Sequence, residues 1–302
     1  MKSRIIIIAI VILSCIQSKS QSKQFFFTTS DSVKLYVEVA GIGKPCVFVH
    51  GGPGSSSNYL KASGASSLAE EKVKMIYYDQ RGSGRSSSPK NKDFSLQRML
   101  QDLEELRQYF GFQQWAVMGH SFGGTIVVPY AKQYPKSVSK LILAHVTLNL
   151  NESILSHIKF GINELKLTDS TALLNSSTPI LDRLKQVHDT LFKAGVWYKL
   201  MYRNQQEKDL NDGFDKFMVD RNWDFANEVW SINDYFRDFK PMTSAIHCPV
   251  LIISGTKDYA IGPDHYKGFA FKTAKIQLYR GGHASFQEEP QWFAEKLIDF
   301  LK

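Results

Sequence analysis

The segment Gly119-His120-Ser121-Phe122-Gly123 carries the clearest chemical signal in the sequence. An apolar run precedes it, which predicts a strand, a sharp turn at Ser121 and a helix that begins at Phe122. Glycines two positions on either side of the serine allow the strand and the helix to pack closely around a strained tip. A hydroxyl at such a tip lies beside the free N–H groups of a helix N-terminus. Ser121 is therefore the candidate nucleophile.

A serine nucleophile needs a base to take its proton and an acid to orient that base. Downstream of Ser121, Asp258 follows one apolar, strand-like run and His283 follows the next. Residues at the carboxyl ends of neighbouring parallel strands meet at one edge of a sheet. The order serine, aspartate, histidine along the chain also agrees with the strand–turn–helix form of the nucleophile site. We therefore predict a triad of Ser121, Asp258 and His283.

Three other residues compete for the roles of acid and base. Asp264 is the alternative acid, but Pro263 before it favours a helix N-terminus. His247 and His265 are the alternative bases. His247 precedes its strand, which places it at the opposite end of the sheet.

Backbone donors for a developing oxyanion are expected from two places. One is the N–H of Phe122, directly after the nucleophile. The other is the loop His50-Gly-Gly-Pro-Gly54, which follows the apolar run 46–49. Within this loop we assign the donor to Gly52 and a tentative substrate contact to Gly51, since glycines let the backbone approach a carbonyl group. We interpret His50 as a hydrogen-bonding partner of its own loop.

The elements that must position these residues alternate between strands and helices. Strands are predicted at 25–29, 33–40, 46–49, 74–79, 115–118, 140–145, 249–254 and 275–279, and helices at 60–71, 95–110, 122–134, 264–271 and 287–301. This rhythm predicts an α/β fold with a mostly parallel, doubly wound sheet. It pauses over residues 147–246, which are polar, aromatic and helical in pattern. We expect a core of residues 25–146 and 247–302 and an inserted helical cap of residues 147–246.

The composition describes a globular chain of 302 residues, with 43% apolar and 22% charged residues. The formal net charge is +8, but no dense run of lysine and arginine predicts a nucleic-acid partner. No cysteine and histidine spacing suggests a metal, and no strand-linked Gly-x-Gly-x-x-Gly suggests a nucleotide cofactor. We therefore expect no cofactor.

The N-terminus follows the plan of an export signal. Lys2 and Arg4 precede nine apolar residues at 5–13, and a small, polar stretch follows. We predict a signal peptide over residues 1–20 and an exported chain, periplasmic or secreted. The apolar run is too short to span a bilayer, and we expect no membrane-spanning segment in the mature chain. Alternatively, residues 12–15 resemble a lipobox, in which Cys15 would carry a lipid anchor. Cys46 and Cys248 are expected to be free, buried thiols.

Taken together, the motifs resemble those of the α/β-hydrolase superfamily over almost all of residues 25–302, and more narrowly its proline iminopeptidase branch. The resemblance is carried by His50-Gly-Gly-Pro-Gly54, Asp79-Gln-Arg-Gly-Ser-Gly-Arg-Ser86, the segment around Ser121, Gly255-Thr-Lys-Asp258 and Gly281-Gly-His283. It implies Ser121 as nucleophile, Asp258 and His283 as its partners, and Gly52 and Phe122 as oxyanion donors.

The resemblance also implies an aminopeptidase that releases N-terminal residues, proline among them, from small peptides. Enzymes of this branch hold the free ammonium of the substrate with acidic residues of the cap. Glu228 is our candidate for this role, with Asp224 and Asp234 as alternatives. Because Gly-His-Ser-x-Gly is common in esterases, an ester-cleaving hydrolase with the same triad stays open. A binding module without catalysis is the remote alternative.

Overall fold

The protein is described from a computed structural model, which covers residues 22–168, 170–214 and 221–302. The predicted signal peptide and Cys15 lie outside the described residues. An eight-stranded sheet with the order β1-β2-β4-β3-β5-β6-β7-β8 forms the centre. The first two strands pair antiparallel, as do β2 and β4, and every other neighbouring pair is parallel. The predicted fold class, an α/β hydrolase fold with a mostly parallel sheet, is confirmed.

The strands are β1 (Lys23–Thr28), β2 (Lys34–Ala40), β3 (Lys44–Val49), β4 (Val73–Tyr78), β5 (Trp115–His120), β6 (Val138–Ala144), β7 (Val250–Gly255) and β8 (Ala274–Tyr279). The described helices are α1 (Asn58–Lys61), α2 (Gly64–Glu70), α3 (Leu96–Tyr109), α4 (Gly124–Gln133), α5 (Leu150–Glu164), α6 (Thr171–Leu174), α7 (Ile180–Lys193), α8 (Gln205–Phe214), α9 (Asp224–Glu228), α10 (Ser285–Glu288) and α11 (Pro290–Leu301).

Two apolar layers cover the two faces of the sheet. Alternate residues of β3 point in opposite directions, so that Val47 and Val49 join the layer with α3 and α4, and Cys46 and Phe48 join the layer with α2 and α11. Burial of each such aliphatic or aromatic side chain stabilises the folded state by about 1.5–3 kcal/mol. The strand ends that carry the candidate site are therefore fixed from both sides.

The structure corrects three helix predictions. The helix expected at 60–71 is two short helices, α1 and α2, interrupted around Ser63. The helix expected at 264–271 is wrong, because only a 3₁₀ turn, His265–Gly268, forms there. Gly262 lies just before this turn and Gly268 ends it, and glycine disfavours the continuation of a helix at both positions. The last helix is broken before Pro290, which begins α11.

Between β6 and β7 the described residues form helices and 3₁₀ turns. This segment is joined to the α/β part by an antiparallel bridge between Gly84 and Asn222, in which each N–H donates to the other residue's carbonyl. Of the two predicted free thiols in this part of the chain, Cys46 is buried and Cys248 is half-buried. Among the described residues, none of the helices combines the length and the apolar character needed to cross a membrane.

Candidate active site

Ser121 lies at the sharp turn that the sequence predicts. Strand β5 ends at His120, a 3₁₀ turn covers Ser121–Gly123, and α4 follows directly. Ser121 has a φ of 54°, a conformation that a residue other than glycine adopts only at a cost. Strain of this kind at a polar residue between a strand and a helix is typical of a nucleophile position.

The glycines of the turn are required by close contacts. A methyl group on Gly119 would lie 2.7 Å from Val127 Cγ2, and one on Gly123 would lie 2.4 Å from Val49 O. These contacts bring α4 against β3 and β5. The loop after β3 also touches the serine, because a methyl group on Gly51 would lie 2.6 Å from Ser121 Cβ. The glycine-rich loop and the turn therefore form one surface around the hydroxyl.

The structure brings Asp258 and His283 together. Asp258 follows β7 and His283 follows β8, and the distance from His283 Nδ1 to Asp258 Oδ2 is 2.9 Å. The side chains of both are almost completely buried. A carboxylate at Nδ1 fixes the proton on that nitrogen and leaves Nε2 as the basic atom. The other carboxylate oxygen, Oδ1, accepts a hydrogen bond from the N–H of Ile261.

Asp258 is held in its charged form. Burial alone would raise the pKa of this carboxyl group, but the neighbouring rings of His283 and His145 outweigh burial and hold its pKa well below the usual range. A charged Asp258 is the form that can stabilise an imidazolium on His283 during proton transfer.

Ser121 is placed next to this pair through its neighbour. The ring of His120 lies 4.6 Å from the ring of His283, centroid to centroid. Among the hydrogen bonds of the described residues, none joins Ser121 Oγ to His283 Nε2. Bonds of this kind commonly tighten only in the substrate complex. The arrangement is therefore a strained serine beside a buried histidine–carboxylate pair.

The two proposed oxyanion donors flank the serine in different environments. Phe122 is buried in the middle of the 3₁₀ turn, and its ring packs against Phe225 and Tyr235, at 5.8 and 5.3 Å between centroids. Gly52 is exposed and has a φ of 123°, which glycine adopts without strain. The Gly51 N–H donates to the Tyr59 hydroxyl at 2.8 Å and so is already engaged inside the protein.

His50 supports this loop, as the sequence analysis suggests. Its Nδ1 lies 2.9 Å from Gly51 O, and its Nε2 accepts from the N–H of Gln80 at 3.0 Å. Burial lowers the pKa of His50 to about 4, against a weaker opposing effect of Asp79. The ring is therefore neutral at pH 7 and holds the loop rather than exchanging protons.

The motif that begins at Asp79 is a second support for the same loop. Asp79 is completely buried and accepts hydrogen bonds from Ser57 and from the Arg85 guanidinium, at 2.7 Å in each case. Burial would raise its pKa, but Arg85 and the hydrogen bonds keep the pKa below the usual value. This pair ties the segment after β3 to the segment after β4.

The three acidic candidates of the cap all have partners near the surface. Glu228 lies 3.0 Å from Lys92 Nζ, with 39% of the Glu228 side chain and 75% of the Lys92 side chain exposed. Asp224 accepts a hydrogen bond from Ser88, and the exposed Asp234 lies 3.8 Å from Arg237. These contacts do not bring any of the three acids to Ser121.

The competing acid and bases are engaged elsewhere. Asp264 is exposed and pairs with Lys267 at 2.8 Å. His265 accepts from the Leu148 N–H, and His247 is exposed before β7. The structure therefore joins Asp258 and His283 to each other and holds these three residues in other contacts or at the surface.

His145 is a member of the site that the sequence analysis missed. It directly follows β6, has a φ of 50° and is buried, and its Nε2 lies 2.7 Å from Ser285 Oγ. Its Nδ1 lies 3.3 Å from Asp258 Oδ2, in a direction that does not complete a hydrogen bond. The signal that could have found it is a histidine at the carboxyl end of a central strand.

The side-chain atoms of His145, Asp258 and His283 that could bind a metal lie within 4.8 Å of one another. Such a set is compatible with a metal ion, but Asp258 Oδ2 already accepts the Nδ1–H of His283. The hydrogen bond accounts for the cluster without an ion.

A groove of about 730 Å³ lies between α5 and the segment after Asp258. Tyr259 and Ile261 line it, whereas Ser121, Asp258 and His283 do not. The candidate active site is therefore defined by its chemistry and not by this groove.

The sequence of this chain is similar to those of known proteins. A family profile described as alpha/beta hydrolase fold matches residues 44–290. A proline iminopeptidase of Clostridioides difficile is 32% identical over 283 residues, which cover 89% of this chain and 94% of that protein. A proline iminopeptidase of Saccharolobus solfataricus is 36% identical over 135 residues, a match that spans only 40% of that relative's length.

Solved structures show the same fold at lower identity. A proline iminopeptidase-related protein from Thermus thermophilus superposes with a TM-score of 0.76 at 18% identity, over 93% of this chain and 97% of the other. An esterase from Exiguobacterium antarcticum superposes with a TM-score of 0.69 at 22% identity, over 91% of this chain and 98% of the other.

Proposed function

We propose that this chain, which belongs to the α/β-hydrolase family, is a serine hydrolase that works through an acyl-enzyme. Ser121 is the proposed nucleophile, His283 its base and Asp258 the acid that orients the base. The observation that carries the proposal is the buried 2.9 Å contact between His283 Nδ1 and Asp258 Oδ2, beside a serine with a φ of 54°.

In the first half-reaction, His283 Nε2 takes the proton of Ser121 Oγ as the oxygen attacks the substrate carbonyl carbon. The carbonyl oxygen gains the negative charge and accepts from the N–H groups of Phe122 and Gly52. The intermediate then expels the leaving amine or alcohol, which receives the proton from His283, and the acyl group stays on Ser121.

In the second half-reaction, water repeats the attack. His283 takes one proton of the water while the water oxygen bonds to the acyl carbon, and the same two N–H groups donate hydrogen bonds to the oxyanion. Ser121 leaves with the proton from His283, and the carboxylic acid product is released. No further cofactor enters the proposed steps.

We propose small peptides as substrates, with release of the N-terminal residue, proline included. The support is the similarity to the proline iminopeptidase of Clostridioides difficile, which extends over 94% of that protein. Glu228 is the proposed partner of the substrate ammonium. Binding there would require the carboxylate to exchange Lys92 for the substrate.

An esterase is the second candidate. The observation that favours it is the position of Glu228, whose side chain is 39% exposed and already paired with Lys92. An ester substrate brings no ammonium and needs no acidic partner in the cap.

The two candidates are separated by assaying the purified chain with proline p-nitroanilide and with p-nitrophenyl butyrate, using Ser121→Ala as the control. Turnover of the anilide that Ser121→Ala abolishes supports the aminopeptidase. Turnover of the ester alone supports the esterase. A failure of a fluorophosphonate probe to label Ser121 would remove both.

We further propose that the chain is exported, by means of the signal peptide predicted at residues 1–20, with lipidation of Cys15 as the alternative. The support is the sequence pattern alone. Expression of the full chain followed by mass spectrometry of its N-terminus distinguishes an intact leader from a cleaved or lipidated one.

A further inference from the structure

We propose that Tyr59 and His120 are positioning residues, which join the loop of the proposed oxyanion donor to the loop of the proposed base. This inference rests on the proposed serine-hydrolase function. It concerns two side chains that the proposed reaction does not otherwise use. One of them, His120, lies directly before the proposed nucleophile.

A continuous hydrogen-bonded chain connects the two loops. The Gly51 N–H donates to the Tyr59 hydroxyl oxygen at 2.8 Å, and that hydroxyl lies 2.8 Å from His120 Nδ1. On the far side of the ring, His120 Nε2 lies 3.1 Å from the carbonyl oxygen of His283. All four residues are buried. We call this set the Gly51–His283 chain.

The chemistry of the groups leaves one direction for the protons. The His283 carbonyl can only accept, so His120 Nε2 carries the proton and donates. His120 Nδ1 then accepts from the Tyr59 hydroxyl, whose oxygen in turn accepts from Gly51. Every donor and acceptor along the chain is satisfied in this single arrangement, which requires a neutral His120.

The surroundings keep His120 neutral. Burial lowers the pKa of His120 well below its ordinary value, and the neighbouring rings of His283 and His145 add to the effect. The hydrogen bond to the His283 carbonyl and the charge of Asp258 oppose it more weakly. The hydrogen bonds of the Gly51–His283 chain therefore keep the same direction of donation throughout the ordinary working range of pH.

The Gly51–His283 chain restrains the two loops relative to the proposed nucleophile. Gly51 directly precedes Gly52, whose N–H is a proposed oxyanion donor, and His120 directly precedes Ser121. At the other end, the bond to the His283 carbonyl restrains the backbone that carries the proposed base. A displacement of about 1 Å between reacting groups can cost about 100-fold in rate.

Packing alone is a weaker explanation of these residues. The Tyr59 ring contacts Phe48 and Phe286, and the His120 ring contacts Phe286. A phenyl ring at either position would keep those contacts and lose only the hydrogen bonds. The polar atoms are thus the part of each side chain that packing does not require, and their partners are the two functional loops.

The test uses the full chain with Tyr59→Phe, His120→Phe and the double variant. Tyr77→Phe is the matched control, because it removes another buried tyrosine hydroxyl, which donates to Glu70. The readout is the labelling of Ser121 by a fluorophosphonate, resolved into a binding constant and a maximal rate. Hydrolysis of p-nitrophenyl butyrate gives kcat and KM, and urea denaturation checks folding.

We expect each single substitution to lower the maximal labelling rate and kcat by about 10- to 100-fold, with the binding constant and KM changed less than about threefold. The double variant should be no slower than the slower single variant, because both substitutions interrupt the same Gly51–His283 chain of hydrogen bonds. Tyr77→Phe should keep wild-type rates within about twofold, although it loses a buried hydrogen bond.

The positioning role is overturned if folded Tyr59→Phe keeps the wild-type maximal rate, or if the losses of the two substitutions multiply. Tyr59→Phe alone decides the question if His120→Phe does not fold. A different result tests the proposed serine-hydrolase function itself. If the wild-type protein is not labelled and Ser121→Ala equals it in turnover, the serine-hydrolase function is overturned, and the positioning role with it.

Discussion

The strand ends of the α/β part and the segment between β6 and β7 differ in how their charged residues are held. Asp258 and His283 are 1% and 2% exposed and bond to each other. Glu228 and Asp234, in the inserted segment, have side chains that are 39% and 53% exposed and pair with surface cations. The buried pair suits the proposed proton transfer, and the exposed pairs of the inserted segment can change partner without disturbing it.

The largest expected effects come from substitutions in the proposed triad. Ser121→Ala removes the proposed nucleophile, and we expect kcat to fall by about 10⁴- to 10⁶-fold. Asp258→Asn should cost about 10⁴-fold, because the amide favours the wrong tautomer of His283. Steady-state kinetics on one anilide and one ester checks this. Retention of more than a tenth of the activity in Ser121→Ala would place the chemistry elsewhere.

Gly51→Ala tests the glycine-rich loop against the serine. The added methyl group would lie 2.6 Å from Ser121 Cβ and 3.2 Å from Oγ, so the loop must move. We expect a loss of about 10²- to 10³-fold in kcat, as for the loss of one oxyanion donor. The control is Gly111→Ala, where no atom lies within 4 Å of the new methyl group, although its φ of 66° adds strain. Equal activity in the two variants would argue against the assignment of this loop.

Acid should destabilise both regions through buried, neutral histidines. Burial lowers the pKa of His50, beside the site, to about 4 and that of His157, on α5, to about 3. An unfolded chain binds these protons near pH 6.5. Between pH 6.5 and about 4 the unfolded state therefore holds more protons, and the free energy of unfolding falls as the pH falls, by on the order of 3 kcal/mol for each such histidine.

Urea denaturation at pH 7, 6, 5 and 4.5 measures this loss of stability. His50→Gln and His157→Gln should each reduce the slope of the free energy against pH, the first through the core and the second through the inserted segment. The carboxylates of Asp79 and Asp258, whose pKa values lie below the usual range, lose their contribution only at still lower pH. A slope that neither substitution changes would contradict the assignment to these rings.

The smallest expected effect concerns Glu228 in the inserted segment. If Glu228 binds the substrate ammonium, Glu228→Gln should raise KM for proline p-nitroanilide by about fivefold, in keeping with about 1 kcal/mol for an exposed ion pair. KM for an aryl ester should not change. Lys92→Gln is the matched control, because it removes the present partner of the carboxylate. An unchanged anilide KM would withdraw Glu228 as the ammonium partner.

The sequence predicts the strands of the fold better than its short helices. The central strands are continuous apolar runs such as 46–49, which are buried on both faces and have no equally stable alternative. The segment 264–271 does not form the helix that its pattern predicts, because Gly262 and Gly268 disfavour a helix more than its aromatic residues favour one. The break before Pro290 is visible in the sequence, but its effect on α11 depends on the packing of the preceding turn.

The same contrast holds for the candidate site. Ser121, Asp258 and His283 are recognisable because chain order and strand ends leave them few competitors. His145 and Tyr59 are not, since their roles depend on distances of about 3 Å between segments that are far apart in the chain. A single tyrosine in a short helix carries no periodic or spacing signal that could reveal such a contact.

The Phe122 ring has a consequence for protein engineering. Its backbone N–H is a proposed oxyanion donor, while its side chain is packed against Phe225 and Tyr235 of the inserted segment. A chimera that exchanges this segment for one from another hydrolase would therefore also replace the side chains that pack against Phe122, the residue of a proposed oxyanion donor. Grafts that keep aromatic residues at positions 225 and 235 should preserve turnover, and grafts that lack them should not.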